Sequence, residues 1–248
     1  MIEKEIKSQF ANVRSKPIHN SILETQLIHG EKLEILSSQN NWSYICSKED
    51  NYKGWIKTNQ IGEKTNKTHK IKKLSTYVFE KPDHKSKVIC KLFLNSMIRV
   101  DSFTGNWVKI IFQDKVGFLH RNSIIKINKN NKDWINICLK FRNTPYLWGG
   151  KTFEGIDCSG LIQLSLQYCG IKFPRNTNEQ SEFVSNFVNS TKNISKGTLI
   201  FWDGHVGVMI NETEVVHSNM YHLGVHIEKL SNTIKRVGKV QKLKQIKI

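Results

Sequence analysis

The first quarter of the chain alternates between short apolar runs and turn-forming polar residues. Within residues 30–36 apolar and polar positions alternate with a period of two, which is typical of a strand with one buried face. Four more short runs predict further strands, at residues 10–14, 22–27, 41–45 and 54–56. This pattern predicts a small β-domain over residues 1–65.

Residues 70–126 repeat this plan in a more degenerate form. Trp107 begins a run that corresponds to the one at Trp42, and a glycine–aromatic pair follows at residues 117–118 as it does at 54–55. Short polar linkers separate the second copy from its neighbours. The pattern therefore predicts three domains, which span residues 1–65, 66–127 and 128–248.

In the last domain, apolar residues recur at the spacing of α-helices. A first helix is predicted near Asp133, with one apolar face made of Trp134, Ile135, Cys138 and Phe141. A second is predicted directly after Asp157, with its end at Gly170 and apolar side chains at Leu161, Leu164, Leu166 and Tyr168. A third is predicted near Thr177, because Thr177 and Gln180 have the spacing of a capping box.

Cys158 occupies a special position at the start of the second helix. Asp157 is its predicted N-cap, so Cys158 lies in the first turn. A thiol there experiences the positive end of the helix dipole and several unpaired backbone N–H groups, so we expect a lowered pKa and a reactive thiolate. The alternative, in which Cys158 is simply a small buried hydrophobic residue, stays open at this point.

Two histidines downstream make a nucleophilic role more plausible. Residues 198–202, 205–210 and 214–217 predict three consecutive strands, with His205 at the start of the second and His217 near the end of the third. Adjacent antiparallel strands can place the two imidazoles side by side. A helix-start cysteine facing a histidine that another polar group steadies is the arrangement of a cysteine nucleophile.

Four motifs of the last domain together resemble the NlpC-type cell-wall peptidase family, whose core is papain-like. They are residues 146–150 (Tyr-Leu-Trp-Gly-Gly), 157–161 (Asp-Cys-Ser-Gly-Leu), 174–175 (Pro-Arg) and 204–207 (Gly-His-Val-Gly). The resemblance covers residues 129–248 and implies an α+β fold with helices packed on an antiparallel sheet. It also implies that Cys158 is the nucleophile, His205 the general base and His217 the residue that orients His205.

The two N-terminal β-domains resemble the bacterial SH3-like barrel. The first is similar to the barrel of the cytosolic, recycling branch of the NlpC-type family, in which an SH3 tyrosine reaches into the catalytic cleft, and Tyr52 matches that tyrosine. The resemblance implies that Tyr52, Asp157 and Ser159 hold the free α-amine of the substrate. On the residues alone, Tyr52 could instead be a surface aromatic of the barrel, and Asp157 could be only an N-cap.

Other residues are weaker candidates. Trp148 precedes two glycines that allow close backbone approach, so we expect it to wall the cleft. Arg175 is expected to have a structural role or to contact a substrate carboxylate. His222 and His226 follow His217, but the spacing of the three fits no zinc pattern, so we expect no metal site and no cofactor.

Composition narrows the class of protein. The chain has 248 residues, of which 38% are hydrophobic and 24% charged, as in soluble globular proteins, and it has no apolar run of the roughly 18 residues that a membrane span needs. Its N-terminus lacks the apolar core of a secretory signal. The five cysteines are scattered without a C-x-x-C pair, which favours a reducing compartment, so we expect a cytoplasmic protein.

The formal charge of +17 is spread over every segment. We interpret it as a solvated, lysine-rich surface rather than a nucleic-acid site, although such charge also attracts acidic substrates. We expect a monomer that binds neither nucleic acid nor membrane.

The predicted function is cleavage of the γ-D-glutamyl–diamino acid bond in murein stem peptides with a free N-terminal L-Ala, during recycling of wall fragments. Alternatives are a secreted autolysin that acts on intact wall, a thiol acyltransferase of related fold, and a non-catalytic module that binds wall or nucleic acid.

Overall fold

The computed structural model describes residues 3–113, 115–129, 132–186, 188 and 194–246. The chain divides into two compact units, Met1–Asn130 and Asn131–Ile248.

The first unit begins with seven strands. They are β1 (Lys4–Ile6), β2 (Phe10–Arg14), β3 (Leu23–Ile28), β4 (Lys32–Gln39), β5 (Trp42–Ser47), β6 (Lys53–Lys57) and β7 (Ile61–Glu63). They form one antiparallel sheet in the order β3-β2-β6-β5-β4-β1-β7. Alternate side chains of β2 are buried, as in a strand with one apolar face. The five strands predicted in this region are confirmed.

Eight further strands complete the first unit. They are β8 (His69–Ile71), β9 (Ser75–Phe79), β10 (Val88–Phe93), β11 (Met97–Ile98), β12 (Val100–Thr104), β13 (Trp107–Phe112), β14 (Lys115–His120) and β15 (Ile124–Lys126). They form a five-stranded sheet, β10-β9-β14-β13-β12, and a three-stranded sheet, β11-β8-β15.

The two halves of this unit have separate hydrophobic cores but touch each other. One core lies within residues 6–61 and the other within residues 71–124. The Met97 N–H donates to the His29 carbonyl over 2.9 Å, and the rings of Phe10 and Phe93 meet edge to face. The gap between β7 and β8 coincides with the predicted boundary near residue 65, but both halves belong to one compact unit. The three-domain division stays a prediction.

The described residues of the second unit form four helices, a short hairpin and a five-stranded sheet. The helices are α1 (Trp134–Lys140), α2 (Cys158–Tyr168), α3 (Thr177–Phe183) and α4 (Leu230–Val237). The hairpin is β16 (Lys151–Thr152) with β17 (Gly155–Ile156). The sheet strands are β18 (Thr198–Trp202), β19 (His205–Met209), β20 (Glu214–Asn219), β21 (Gly224–Lys229) and β22 (Lys242–Gln245).

The sheet of the second unit is antiparallel, in the order β21-β20-β19-β18-β22. Helix α2 packs against α1 and against β19 and β20, and ten of its eleven residues are buried. Among the described residues, no helix has the length and apolarity to cross a membrane. The predicted helices and the three predicted strands are confirmed, whereas β21, α4 and β22 were not predicted.

The two ends of α2 have the capping residues that the sequence predicted, whereas the start of α3 does not. Asp157 caps α2 by accepting from the Gly160 N–H over 2.7 Å, and Gly170 follows its end with a φ of 83°. The capping-box interpretation of the third helix is wrong. Thr177 is the first helical residue, and the Gln180 amide donates instead to the carbonyls of Ser159 and Pro174. Gln180 therefore ties α3 to the start of α2.

Candidate active site

The start of α2 is built around a buried carboxylate. Asp157 accepts from the Gly149 N–H over 2.8 Å and from the Gly160 N–H over 2.7 Å. The Arg175 guanidinium donates to both of its oxygens, over 3.0 and 2.6 Å, and to the Ser159 hydroxyl over 2.8 Å. These bonds fix the position of Cys158, which is the first residue of the helix.

The same contacts bear on two predicted substrate-binding residues. The side chains of Arg175 and Asp157 are only 2% and 9% exposed, and they neutralise each other. The Arg175 guanidinium therefore binds Asp157 and Ser159 of the protein itself, which fits the structural role that was one of the two expected for it. Asp157 acts as the predicted N-cap and also holds Arg175. Any amine bound here would meet a carboxylate whose charge is already balanced.

The two histidines meet as the strand pattern predicted. His205 is the first residue of β19, and its Nε2 lies 2.8 Å from Nδ1 of His217 on the neighbouring β20. His217 is fully buried. A Cβ at Gly207 would lie 3.2 Å from the Cβ of His217 and 2.7 Å from Val215 Cγ2, so only glycine leaves room for this arrangement.

Cys158 lies beside the same strand. The backbone of Val206, the residue after His205, forms a hydrogen bond with the thiol that favours the thiolate. The helix-start sulfur and the strand that carries His205 are therefore adjacent. The three residues predicted to carry catalysis, Cys158, His205 and His217, thus lie on neighbouring elements, α2, β19 and β20.

The charge state of these groups differs from the expectation. Burial, followed by the negative charge of Asp157, raises the pKa of the Cys158 thiol to about 11, even though backbone hydrogen bonds and Arg175 oppose this effect. The expected lowering was wrong, because loss of solvent outweighs the helix start. Burial and the neighbouring His217 lower the pKa of His205 to about 3. The resting pair is a neutral thiol beside a neutral imidazole.

Three residues near the site were given no role from the sequence, although Tyr146 belongs to the first of the four motifs. Glu228 Oε1 lies 2.9 Å from Nε2 of His217, and Arg236 forms an ion pair with the same carboxylate. Burial, followed by the charges of Cys158 and Asp157, raises the pKa of Tyr146 to about 12. Glu228 lies on β21, two residues after His226, the register partner of His217.

One group of side chains has donor atoms at metal-binding distances. His217, His222 and Glu228 each offer an atom within 4.8 Å of the others. His226 does not join this group but stacks on His222, with ring centroids 3.9 Å apart. The Arg236 guanidinium already pairs with the Glu228 carboxylate, and a cation would have to displace it. This donor set fits hydrogen bonding better than metal binding.

The remaining predicted residues lie in different environments. In the first unit, the Tyr52 ring packs on the core of residues 6–61 and its hydroxyl donates to Glu24 over 3.1 Å. In the second unit, Trp148 is 62% exposed and precedes Gly149, whose φ is 73°. The Trp148 indole is therefore available for a ligand.

Comparison with known proteins agrees with these observations. Residues 143–241 match the NlpC/P60 family, and residues 13–61 match the bacterial dipeptidyl-peptidase Sh3 domain. The chain contains an NlpC/P60 domain. The family resemblance that the motifs indicated is confirmed for an NlpC/P60 domain preceded by an SH3-like domain.

Relatives resemble the NlpC/P60 chain over most of its length. Dipeptidyl-peptidase 6 of Lysinibacillus sphaericus is 24% identical over 245 residues, which cover 90% of each chain. Gamma-D-glutamyl-L-lysine dipeptidyl-peptidase of Bacillus subtilis is 25% identical over 239 residues, or 87% of this chain and 78% of that protein. The crystal structure of an NlpC/P60 family protein from Bacillus cereus superposes with a TM-score of 0.82 at 19% identity, covering 98% of this chain and 99% of that one. This last similarity supports the fold alone.

Proposed function

We propose that this protein is a cysteine endopeptidase that hydrolyses the γ-D-glutamyl–diamino acid bond of murein stem peptides with a free N-terminal L-Ala. The observation that carries the proposal is the imidazole pair, His205 Nε2 to His217 Nδ1 at 2.8 Å, beside the helix-start Cys158. The names of the relatives, dipeptidyl-peptidase 6 and gamma-D-glutamyl-L-lysine dipeptidyl-peptidase, favour this bond.

In the first step the Cys158 sulfur attacks the γ-carbonyl carbon of D-glutamate while its proton passes to His205. His205 must take this proton before or during the attack, because the thiol is protonated at rest. The backbone N–H of Cys158 has no partner within the helix and can donate to the developing oxyanion. The carbon–nitrogen bond then breaks, and His205 returns the proton to the departing amine.

In the second step water attacks the thioester. His205 takes a proton from the water, the carbon–sulfur bond breaks, and His205 passes the proton to the sulfur, which regenerates the thiol as the dipeptide L-Ala-γ-D-Glu leaves. His217 keeps His205 oriented in both steps. The basic surface, with a net charge of +17, attracts the carboxylate-rich substrate.

The proposal also covers substrate recognition, cellular location, oligomeric state and the second β-domain. A protein that releases a dipeptide must bind the free N-terminus of its substrate, and within the second unit we assign this amine to Asp157 and Ser159. Since Arg175 already balances Asp157, oriented acceptors rather than a free carboxylate would hold the amine. We assign a cytoplasmic recycling role and a monomeric state, and we assign residues 66–127 to a second SH3-like barrel.

The test is incubation with L-Ala-γ-D-Glu-diaminopimelate and its lysine counterpart, each free and N-acetylated, while release of the diamino acid is followed by chromatography. We expect cleavage of the free peptides, loss on acetylation, and loss in Cys158→Ala and His205→Ala. Equal turnover of free and acetylated peptides would remove the amine-binding role.

The alternative functions give different outcomes in the same experiment. Release of fragments from intact sacculi would indicate an autolysin. Transfer of the dipeptide to an added amine rather than to water would indicate an acyltransferase. Ligand binding that survives Cys158→Ala and falls steeply with salt would indicate a non-catalytic module.

A further inference from the structure

Behind His217, on the side away from His205, a buried carboxylate completes a line of polar groups. The Glu228 side chain is 8% exposed, and its Oε1 lies 2.9 Å from Nε2 of His217. Arg236 on α4 donates to both oxygens of Glu228 and stacks on the ring of Tyr221. The line therefore runs from His205 through His217 and Glu228 to Arg236.

An ionised carboxylate only accepts hydrogen bonds, and this restricts the protons on both rings. His217 must carry its proton on Nε2 to donate to Glu228. In the neutral ring Nδ1 is then an acceptor, so the bond to His205 requires a proton on Nε2 of His205. The remaining nitrogen of His205, Nδ1, keeps its lone pair and is the atom that can act as a base.

We propose that Glu228 is a positioning residue that sets the tautomers of both His217 and His205, and that Arg236 keeps Glu228 in the ionised form that this requires. Its catalytic consequence rests on the proposed function, because only a base at His205 Nδ1 can take the proton of Cys158. Glu228 touches neither the sulfur nor the substrate, so it acts only through His217.

The charges around Glu228 support its ionised state. Burial opposes ionisation, but hydrogen bonds from Arg236 and His217 outweigh it and hold the pKa of Glu228 at about 2. The groups that face it are His217 on β20, His222 on the β20–β21 connection, and Arg236 on α4. Burial lowers the pKa of His217 to about 4 despite the opposing effect of Glu228, so the ring is neutral at pH 7.

The direct test reads the tautomers by long-range proton–nitrogen NMR of the histidine rings, assigned with His205 and His217 variants. At pH 7 we expect both rings to be neutral and protonated on Nε2. In Glu228→Ala we expect His217 to lose this preference and populate both tautomers. A wild-type His217 protonated on Nδ1, or tautomers unchanged in Glu228→Ala, would overturn the proposal.

Kinetics then test the catalytic consequence. We expect Glu228→Ala to lower kcat by about 10–100-fold with KM changed less than about threefold, as when a residue that orients a functional histidine is removed. Glu228→Gln keeps an acceptor for His217 and should recover most of this loss. Glu214→Ala is a matched control, since Glu214 is a partly exposed carboxylate on β20 whose side chain accepts a hydrogen bond from the Asn211 amide.

These readouts separate the two proposals. If no peptide is cleaved but the tautomers are as stated, the function is wrong and the role of Glu228 stands. Equal losses in Glu228→Ala and Glu228→Gln, in parallel with a lower melting temperature, would overturn the positioning role. Should Glu228→Ala fail to fold, the wild-type spectrum and Glu228→Gln still decide the matter.

Discussion

The ion pair between Arg175 and Asp157 makes the sharpest prediction about stability. The two side chains are 2% and 9% exposed, and two hydrogen bonds of 3.0 and 2.6 Å join them. Arg175→Met removes the guanidinium and leaves a buried carboxylate without its cation. Breaking a buried pair in this way costs about 3–5 kcal/mol, a large part of the ~5–15 kcal/mol that stabilises a typical domain.

A double variant separates the free energy of the ion pair from the effects of losing each side chain. Asp157→Asn removes the charge but keeps a side chain that can cap α2. In Arg175→Met/Asp157→Asn neither charge is left unpaired, so we expect the combined loss to be about 2 kcal/mol smaller than the sum of the single losses. Hydrogen exchange of the α2 amides across a urea series measures these free energies for the second unit alone.

Two results would refute this reasoning. One is an Arg175→Met variant within about 0.5 kcal/mol of the parent, which is the range of ordinary surface substitutions. The other is a double variant whose loss equals the sum of the single losses. Activity adds a further check, because a KM that is higher in the well-folded double variant than in Asp157→Asn alone would mean that Arg175 contacts a substrate carboxylate after all.

Three further predictions follow from the environment of single residues. Because the pKa of the Cys158 thiol is raised to about 11, its alkylation by iodoacetamide, corrected with Cys158→Ala, should keep accelerating above pH 8; a plateau below pH 7 would show a resting thiolate. A Cβ at Gly207 would press on Val215 and His217, so Gly207→Ala should lower kcat by about 10–100-fold, and an unchanged kcat would contradict the steric argument. Burial lowers the pKa of His29 to about 3 in the folded chain, so the unfolded state binds its proton first and stability should fall as pH drops below about 6.5. By pH 5 this one group should cost about 2 kcal/mol in urea unfolding of the first unit, and the same pH dependence in His29→Gln would exclude it as the cause.

The sequence predicts the parts of the site that depend on local rules. The N-cap at Asp157, the helix after it and the strand that begins at His205 are each set by residues a few positions apart, and the structure has all three. The side-by-side imidazoles follow from strand adjacency once two consecutive strands are recognised.

What the sequence could not predict depends on contacts between distant segments. The pKa of Cys158 is raised because packing around α2 removes solvent, and no local pattern reports that burial. Glu228 can be assigned to the site only when β21 is known to pair with β20. Arg236 can be assigned only when α4 is known to lie beside β21. Gln180 has the spacing of a cap, yet its side chain is recruited by the Ser159 carbonyl in another helix.

The nearly complete burial of α2 has a consequence for engineering. A helix that is packed on every side cannot tilt or slide to suit a different peptide. The position of the Cys158 sulfur is therefore fixed by the packing of α2. Changes of selectivity must come from surface side chains instead, and the exposed Trp148, Met220 and Leu223 offer three sites for a focused library that leaves the reactive centre unmoved.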